Sequence, residues 1–455
     1  MPSAPRFEAL DRLGSLFCFD RNFQGDRHPE SVFSTMAWNL ACWDPGFKRA
    51  LADVISRRGS LADTTDIISQ WEHLIVEPAK DLTVAGPVLL VVDALDESGD
   101  NSSRRLLISF LTTRVADLPP NFRIIVTSRP EPDVMSAIRK QQDTLVHCID
   151  LEAQGAEAKE DVLVYIRHRF ALADGHLDDA HQRLLAEKSE GLFQWAFTAC
   201  EVVLGPRTAG LTLLESVDDL LQSIKPTGLV PLDALYSGVL AQAFSQDNER
   251  VMSRFRSVMA QVLSTLEPLS ANSLHDIRRC WSGDPEDEIT IIIPHLGAVL
   301  SGVTDRSAPV RPFHTSFRDF LTTQARSGIW HIDQQEGNPI MGLGCVRLMN
   351  MHLRFNICQL ETSYIPNKDV SNLADRLNKY VSPALHYAVL YWKDHLGFSL
   401  GDSDLQDAVE RFLYDKLLFW FEVLSLLGKV NQAARALHTA MNLFHPFRIL
   451  KRQLS

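Results

Sequence analysis

Three acidic residues follow an apolar run near residue 90. The run Val88–Val92 holds only valine and leucine, Asp93 closes it, and Asp96 and Glu97 stand in the next turn. Such a run predicts a buried strand of a parallel sheet, and ligands of open sheets bind at the carboxyl ends of strands. One carboxylate there can hold Mg²⁺ beside a phosphate, and another can orient an attacking water. The alternative, helix capping by Asp96 and Glu97, accounts less well for the D-x-x-D-E spacing.

A second apolar run, Phe122–Thr127, leads into Ser128 and Arg129. Pro130 biases Arg129 toward an extended backbone, so its side chain would leave the edge of the sheet. An arginine there can stabilise charge on a terminal phosphate. On its own this residue would be read as a surface arginine before a Pro-rich turn. Its pairing with the acidic strand end favours a functional role.

Short apolar runs alternate with helical patterns in the first third of the chain. Further strand-like runs lie at Ser15–Phe19 and Leu145–Ile149, and helical patterns lie at Glu30–Trp43 and Arg104–Leu118. This alternation predicts an α/β fold with a parallel sheet buried on both faces.

After about residue 152 the pattern becomes helical. The clearest segment is Asp247–Leu266, whose apolar residues fall on one helical face. Two strand-like runs, Thr290–Ile293 and Ala298–Gly302, then precede the segment VRPFHTSFRDFL. Helices followed by a small β element and another helix indicate a winged-helix unit. From Pro339 onward the pattern is helical throughout.

The bulk composition narrows the class of protein. The chain has 455 residues and a formal net charge of -12, which disfavours broad binding to nucleic acid or anionic membranes. Its 7 cysteines are dispersed and show no zinc spacing, which favours buried thiols in a reducing compartment. The start of the chain lacks the apolar core of a signal peptide, and Leu417–Leu427 is too short to span a bilayer. We therefore expect a cytoplasmic protein with no membrane partner and no nucleic-acid partner.

The segments DALDES and RIIVTSRPEPDV resemble the Walker B and sensor segments of NACHT-domain NTPases, which belong to the STAND class of signalling ATPases. The likeness is to the nephrocystin-like NACHT proteins of fungi. It extends to GSLFCFDRNFQGDRHPESVFSTMAWNLA near the start, to GLFQWAFTAC at 191–200, and to VRPFHTSFRDFL, which resembles the winged-helix motif of the class.

The resemblance implies ATP or ADP and Mg²⁺ as cofactors and assigns a role to five residues. Asp93 would coordinate Mg²⁺, Asp96 and Glu97 would handle the hydrolytic water with Glu97 the better candidate, and Arg129 would be the sensor arginine. His314 would touch a nucleotide phosphate in the closed state. A purely structural role for His314 remains equally open, because it precedes an apolar stripe and because Ser316 and Asp319 fit a capping box.

The phosphate-binding motif G-x-x-x-x-G-K-[ST] is not found in the printed sequence. The one Gly-Lys pair is Gly428-Lys429, which Val430 follows in a helical region. In the family the loop would stand before FEALDRLG. We therefore expect an incomplete P-loop NTPase-type parallel sheet in a truncated or degenerate copy, no tight nucleotide binding, and no ATP hydrolysis by this chain alone.

The predicted fold class is α/β, with helical, winged-helix and all-helical regions after the incomplete sheet. The predicted domains are an NTPase core lacking the P-loop at 1–150, a helical subdomain at 151–235, a winged-helix-like region at 236–335 and a helical region at 336–455. The predicted function is a nucleotide-dependent signalling switch that works with protein partners or by self-assembly. A nucleotide-independent helical scaffold or adaptor is the alternative. A winged-helix DNA binder ranks below both, because no basic recognition helix stands out.

Overall fold

The chain divides into two compact units, Met1–Asp150 and Leu151–Ser455. The structure is a computed structural model, and it describes residues 12–21, 28–61, 64–84, 86–98, 101–139, 146–149, 155–172, 177–205, 211–224, 230–283, 288–398 and 403–441. The predicted division of 151–455 into three regions stays a prediction.

The described residues of the first unit form a parallel sheet of three strands. The strands are β1 (Leu13–Cys18), β2 (Val88–Asp93) and β3 (Phe122–Val126), in the order β1-β2-β3. Cys18 pairs with Asp93 in the β1–β2 register, and Val92 pairs with Val126 in the β2–β3 register. The coarse prediction of an α/β sheet with additional helical regions is confirmed.

Helices cover one face of this sheet. They are α1 (Val32–Trp43), α2 (Pro45–Arg57), a continuous helical run made of Ile67–Ser69, the π-helical Gln70–Val76 and Glu77–Ala79, then α3 (Asn101–Thr113) and α4 (Pro132–Arg139). Short 3-10 turns lie at Pro29–Ser31, Gly59–Leu61, Leu95–Glu97 and Arg114–Asp117.

The apolar core of the first unit lies against alternate residues of β2. One buried cluster contains Val88, Leu90 and Val92 together with Phe33 of α1 and Leu107 of α3. Successive side chains of a strand point to opposite faces, so these three strand residues lie on the same face of the sheet. The prediction of burial on both faces is right for β2, whose five apolar residues are all buried. It is wrong for the flanking strands.

The flanking strands expose apolar side chains. Leu16 of β1 is 43% exposed and Ile125 of β3 is 36% exposed. Each of these strands has β2 as its partner within the described sheet. A continuous apolar run therefore did not distinguish a central strand from its neighbours.

Two predicted strands do not form. Residues 146–149 are irregular and mostly exposed, with Ile149 64% exposed, while Leu145 lies outside the described residues. The segment Thr290–Ile293 is helical instead. Its buried residues Ile289, Ile292, Ile293 and Leu296 recur at i, i+3, i+4 and i+7, which is the period of a helix and not of a strand.

In its described residues, the second unit is mainly helical and contains one small hairpin. Its helices are α5 (Gly155–Ala171), α6 (Asp179–Lys188), α7 (Phe193–Leu204), α8 (Leu213–Ser223), α9 (Pro231–Ala243), α10 (Glu249–Ser264), α11 (Ala271–Ser282), α12 (Glu288–Ile292), α13 (Thr315–Thr322), α14 (Gln324–Ser327), α15 (Gly337–His352), α16 (Leu373–Tyr380), α17 (Pro383–Tyr391), α18 (Ser403–Asp415), α19 (Leu417–Leu426) and α20 (432–441). Short 3-10 turns lie at Ile293–Leu296, Gly328–Trp330, Gln334–Glu336, Asn367–Asp369 and Trp392–Phe398. None of the helices in the described part of the chain is long and apolar enough to cross a bilayer.

The hairpin stands where the winged-helix prediction needs a β element. Strands β4 (Leu300–Ser301) and β5 (Arg311–Pro312) pair antiparallel, and an isolated bridge joins Ser270 to Pro309. Helices α10, α11 and α12 precede it and α13 follows it. This order is compatible with a winged-helix unit, which stays a prediction.

Helix α15 is the centre of the second unit's core. It packs against α10, α11, α17 and α18. A close approach to α11 depends on Gly344, since a Cβ there would lie 2.5 Å from the carbonyl oxygen of Ile277. Any larger residue at this position would force the two helices apart.

None of the seven cysteines, all of which lie in the described residues, forms a disulfide, and only some of them are buried. Cys200, Cys345 and Cys358 are buried, whereas Cys42 and Cys148 are exposed. Burial raises the pKa of Cys200 to about 12 and raises that of Cys345 further. The expectation of buried thiols is therefore wrong for Cys42 and Cys148, which the sequence could not distinguish from the others.

Candidate functional site

The carboxyl end of β2 turns sharply into a short acidic segment. Ala94 adopts the left-handed conformation with φ 55° and ψ 49°, and Leu95–Glu97 form a single 3-10 turn. We call residues 94–98 the acidic turn. Its Leu95 N–H donates to the Thr127 carbonyl at 2.9 Å, so the turn is tied to the end of β3.

The Asp93 carboxylate lies between the ends of the other two strands. Its Oδ1 accepts a hydrogen bond from the Thr127 hydroxyl, and its Oδ2 lies 3.5 Å from the Cys18 Sγ. The Ala94 N–H donates to the Thr127 hydroxyl oxygen at 2.9 Å. These contacts fix the orientation of the carboxylate, and Asp93 as a residue is half-buried.

The Asp96 carboxylate is engaged by Arg129. The backbone N–H of Arg129 donates to Asp96 Oδ1 at 3.1 Å, and the Arg129 Nε lies 3.4 Å from Oδ2. Asp96 is 3% exposed, whereas the side chain of Arg129 is 37% exposed. The two residues that the sequence assigned to separate strand ends are therefore direct partners.

Glu97 is positioned by a residue that sequence reasoning missed. The backbone N–H of Arg21 donates to Glu97 Oε2 at 3.1 Å, and the Arg21 Nη2 donates to the Asp96 carbonyl at 3.0 Å. Arg21 follows β1 and lies in the segment DRNF. Its sequence separation from the turn gives no local signal, although the parallel β1–β2 pairing brings the two together.

A buried ion pair lies behind the acidic turn. The Arg104 Nε and Nη2 donate to the two carboxylate oxygens of Asp133 at 2.8 and 3.1 Å, and the Arg104 Nη1 donates to the Asp96 carbonyl at 3.2 Å. The side chains of Arg104 and Asp133 are 6% and 7% exposed. The Arg104 guanidinium lowers the pKa of Asp133 through its hydrogen bonds.

The site offers a carboxylate oxygen that could coordinate one Mg²⁺ ion. Among the residues that the structure describes, no three His, Cys, Asp or Glu side chains converge on a shared metal position. Mg²⁺ commonly takes one or two carboxylates and completes its shell with waters and phosphate oxygens. The half-buried carboxylate of Asp93 fits that mode of binding and does not fit an all-protein metal cage.

His314 lies in the second unit and caps helix α13. Its Nδ1 accepts from the Ser316 N–H at 3.1 Å and lies 2.7 Å from the Ser316 hydroxyl, which lies 2.8 Å from the Tyr236 hydroxyl. The predicted capping box of Ser316 and Asp319 is wrong, because the helix begins one residue before Ser316 and places that residue inside its first turn.

The pair Gly428-Lys429 ends a helix. Gly428 has φ 69°, its N–H donates to the Ser425 carbonyl, and the Lys429 N–H donates to the Leu424 carbonyl. A left-handed glycine, followed by a residue whose N–H bonds back to a carbonyl in the last turn of the helix, is typical of a helix C-cap. The prediction that this pair is not a phosphate-binding loop agrees with that geometry.

Of the five predicted site residues, Asp93, Asp96, Glu97 and Arg129 come together at one end of the sheet. A family model matches the segment that contains these four residues. The family model described as Nephrocystin 3, N-terminal, matches residues 6–129. Vegetative incompatibility protein HET-E-1 of Podospora anserina is 25% identical over 376 residues, and the match covers 76% of this chain.

The match covers 26% of HET-E-1, so the chain spans about a quarter of the length of that relative. Together the two matches establish a resemblance to the nephrocystin-like NACHT proteins. His314 lies outside the residues that the family model matches.

Proposed function

We propose that this chain is part of a nucleotide-dependent signalling switch of the NACHT/STAND type. The observation that carries the proposal is the convergence of Asp93, Asp96, Glu97 and Arg129 at the carboxyl end of a parallel sheet. Ligands of open α/β sheets bind at this end. The resemblance to NACHT proteins supports a nucleotide as the ligand and Mg²⁺ as its companion.

In this proposal each residue acts on a different part of the ligand. Asp93 contributes the carboxylate that would hold Mg²⁺, and Thr127 keeps that carboxylate oriented. A bound Mg²⁺ would neutralise charge on the phosphates. Arg129, whose side chain is partly exposed, would stabilise negative charge on the terminal phosphate.

Glu97 is the better candidate to orient a water molecule. It is half-buried, whereas Asp96 is buried and both of its carboxylate oxygens lie near Arg129. A general base must reach the proton that it accepts. We therefore assign the water to Glu97 and give Asp96 the role of holding Arg129 in place.

The test is binding of a fluorescent ATP analogue with Mg²⁺ to the folded chain and to Asp93→Asn. Removing the charge of Asp93 should weaken Mg²⁺-dependent binding about tenfold or more, the equivalent of about 1.4 kcal/mol. Asp81→Asn is the matched control, because Asp81 is an exposed acid of the same unit. Equal affinity of wild type and Asp93→Asn, or no binding to folded wild type, would contradict the proposal.

The alternative is a nucleotide-independent scaffold. The hydrogen bond and ion pair between Asp96 and Arg129 favour it. A carboxylate and a guanidinium that bind each other can have a purely structural role. Under this alternative Asp96→Asn would lower the thermal midpoint, and folded wild type would bind no ATP analogue.

The proposed outputs are protein contacts, either with partners or with further copies. The chain resembles a vegetative incompatibility protein, and this resemblance supports protein contacts as the output. A nucleic-acid output has little support, because the helix that would serve as recognition helix of a winged-helix unit, α12, is formed by Glu288, Thr290 and three isoleucines. Glu288 also forms an ion pair with Arg278.

A further inference from the structure

We infer that Arg104 is a positioning residue of the acidic turn, and that Asp133 holds Arg104 in the orientation this requires. The inference deepens the proposed function and rests on it, since the turn carries the acids that would meet the nucleotide.

The geometry uses the whole guanidinium fork of Arg104. Three of its nitrogens donate, two to the carboxylate of Asp133 and one to the carbonyl of Asp96. A planar fork can make these contacts at once, whereas an ammonium group cannot reproduce their fixed angles. The carboxylate fixes the plane of the guanidinium, and the remaining nitrogen is then directed at the turn.

Burial makes this arrangement costly to disturb. With 6% and 7% of their side chains exposed, Arg104 and Asp133 have little access to water. Removing one partner of a buried pair leaves the other charge uncompensated. The pair therefore has one stable geometry, which makes it a firm support for the Asp96 carbonyl.

The acidic turn needs such support because its backbone is strained. Ala94 holds a left-handed conformation that residues with a Cβ seldom adopt. Strained backbone persists where surrounding contacts over-determine it. Arg21 and Arg104 donate to the same carbonyl of Asp96 from two different parts of the chain, and they supply contacts of that kind.

The pair also relates the acidic turn to helix α4. Arg104 lies in α3, which follows the turn, and Asp133 lies in the first turn of α4, which follows β3. A displacement of α4 would move the guanidinium and, with it, the carbonyl of Asp96. The positions of Glu97 and of Arg129 would then change together.

The test measures hydrogen exchange of the turn without any nucleotide. We would compare the amides of Leu95, Glu97 and Ser98 in wild type, Arg104→Met and Arg104→Lys. In both variants these amides should exchange about tenfold faster than in wild type, because the local structure opens more often. Any change in the exchange rate of the α1 amides is subtracted first, since it reports on the unit as a whole. Arg104→Lys retains a charge for Asp133 and should keep a thermal midpoint closer to wild type, so it remains informative if Arg104→Met fails to fold.

The matched control is Arg105→Met, an exposed arginine of the same helix, which should leave exchange of the turn unchanged. A merely structural ion pair would predict that Arg104→Lys restores both the thermal midpoint and the protection of the turn. That outcome, or equal exchange changes in the turn and in α1, would overturn the inference. Binding of the ATP analogue is measured in parallel, so a wild type that binds none refutes the proposed function while the exchange data still decide the role of Arg104.

Discussion

The left-handed backbone conformation of Ala94 can be tested by substituting that residue alone. Its φ of 55° costs about 1–3 kcal/mol for a residue with a Cβ. Ala94→Gly removes this strain but adds freedom to the unfolded chain, which opposes the gain by about 0.4–1 kcal/mol. We expect a free energy of unfolding equal to or above that of wild type, measured by urea denaturation.

Ala94→Val is the paired variant. A β-branched side chain is a genuine outlier in this conformation, so the variant should be less stable than wild type and its turn amides less protected. A valine variant as stable as the glycine variant would show that the left-handed conformation does not persist in solution.

His395 is a buried neutral base in the second unit. Its Nε2 lies 2.9 Å from the Tyr387 hydroxyl, and its Nδ1 lies 2.8 Å from the side-chain oxygen of Asn338. These partners assign the proton to Nδ1, where it donates to Asn338, while Nε2 accepts from Tyr387. Burial, together with the charge of Lys393, lowers the pKa of His395 to about 3.

This shift predicts how stability depends on pH. The unfolded histidine titrates near pH 6.5, whereas the folded one titrates near pH 3. Between these pH values the unfolded state therefore binds one more proton than the folded state. His395 therefore lowers stability as pH falls through that window, by up to about 1.4 kcal/mol per pH unit, and has no such effect above it. The difference in unfolding free energy between wild type and His395→Gln should shrink between pH 6 and pH 4, and a constant difference would contradict the assignment.

The N-terminus of helix α13 offers a way to test the two roles that the sequence left open for His314. The imidazole Nδ1 caps the helix by accepting from the Ser316 N–H. Loss of a side-chain cap costs about 0.5–2 kcal/mol, so His314→Ala should be destabilised by that amount in urea denaturation. His314→Asn supplies another capping oxygen and should restore most of the stability.

Nucleotide response then decides whether the cap has a second role. If His314 also touches a phosphate, His314→Asn should weaken binding of the ATP analogue while keeping wild-type stability. Unchanged binding in both variants would leave His314 a capping residue alone.

The sequence predicted those elements whose signals are local. The apolar runs that end in Asp93 and Thr127 placed β2 and β3 correctly, and Asp247–Leu266 matched α10. Thr290–Ile293 was misread because three consecutive isoleucines suit a strand or a buried helix equally well, and only the spacing to Ile289 and Leu296 distinguishes them.

The supporting residues of the site could not be predicted in the same way. Arg104 and Asp133 are 29 positions apart, and Arg21 lies 75 positions before Asp96, so neither pairing leaves a local pattern. The register of β1 on β2 brings Arg21 to the turn, and the packing of α3 beside α4 brings Arg104 to Asp133. Such contacts follow from the fold and become visible only with it.

The two units of the chain have separate apolar cores. One core includes Phe33 and the other includes Phe255, and both side chains are fully buried. Units with their own cores can unfold separately, so denaturant unfolding should show two transitions.

Matched substitutions assign the transitions. Phe33→Ala and Phe255→Ala should each destabilise one unit by about 3–5 kcal/mol through the cavity that they create. We expect each variant to shift one transition, measured by tryptophan fluorescence and circular dichroism. A single transition that both variants shift equally would show that the units unfold as one.

The parallel pairing of β1 with β2 has a consequence in time. Cys18 and Asp93 are 75 residues apart, and β1 emerges from the ribosome first. At a synthesis rate of roughly 5–20 residues per second, the synthesis of β2 is completed about 4–15 s after that of β1. The exposed strand must pass that interval without its neighbour, so the pace of translation sets the earliest moment at which the acidic turn can form.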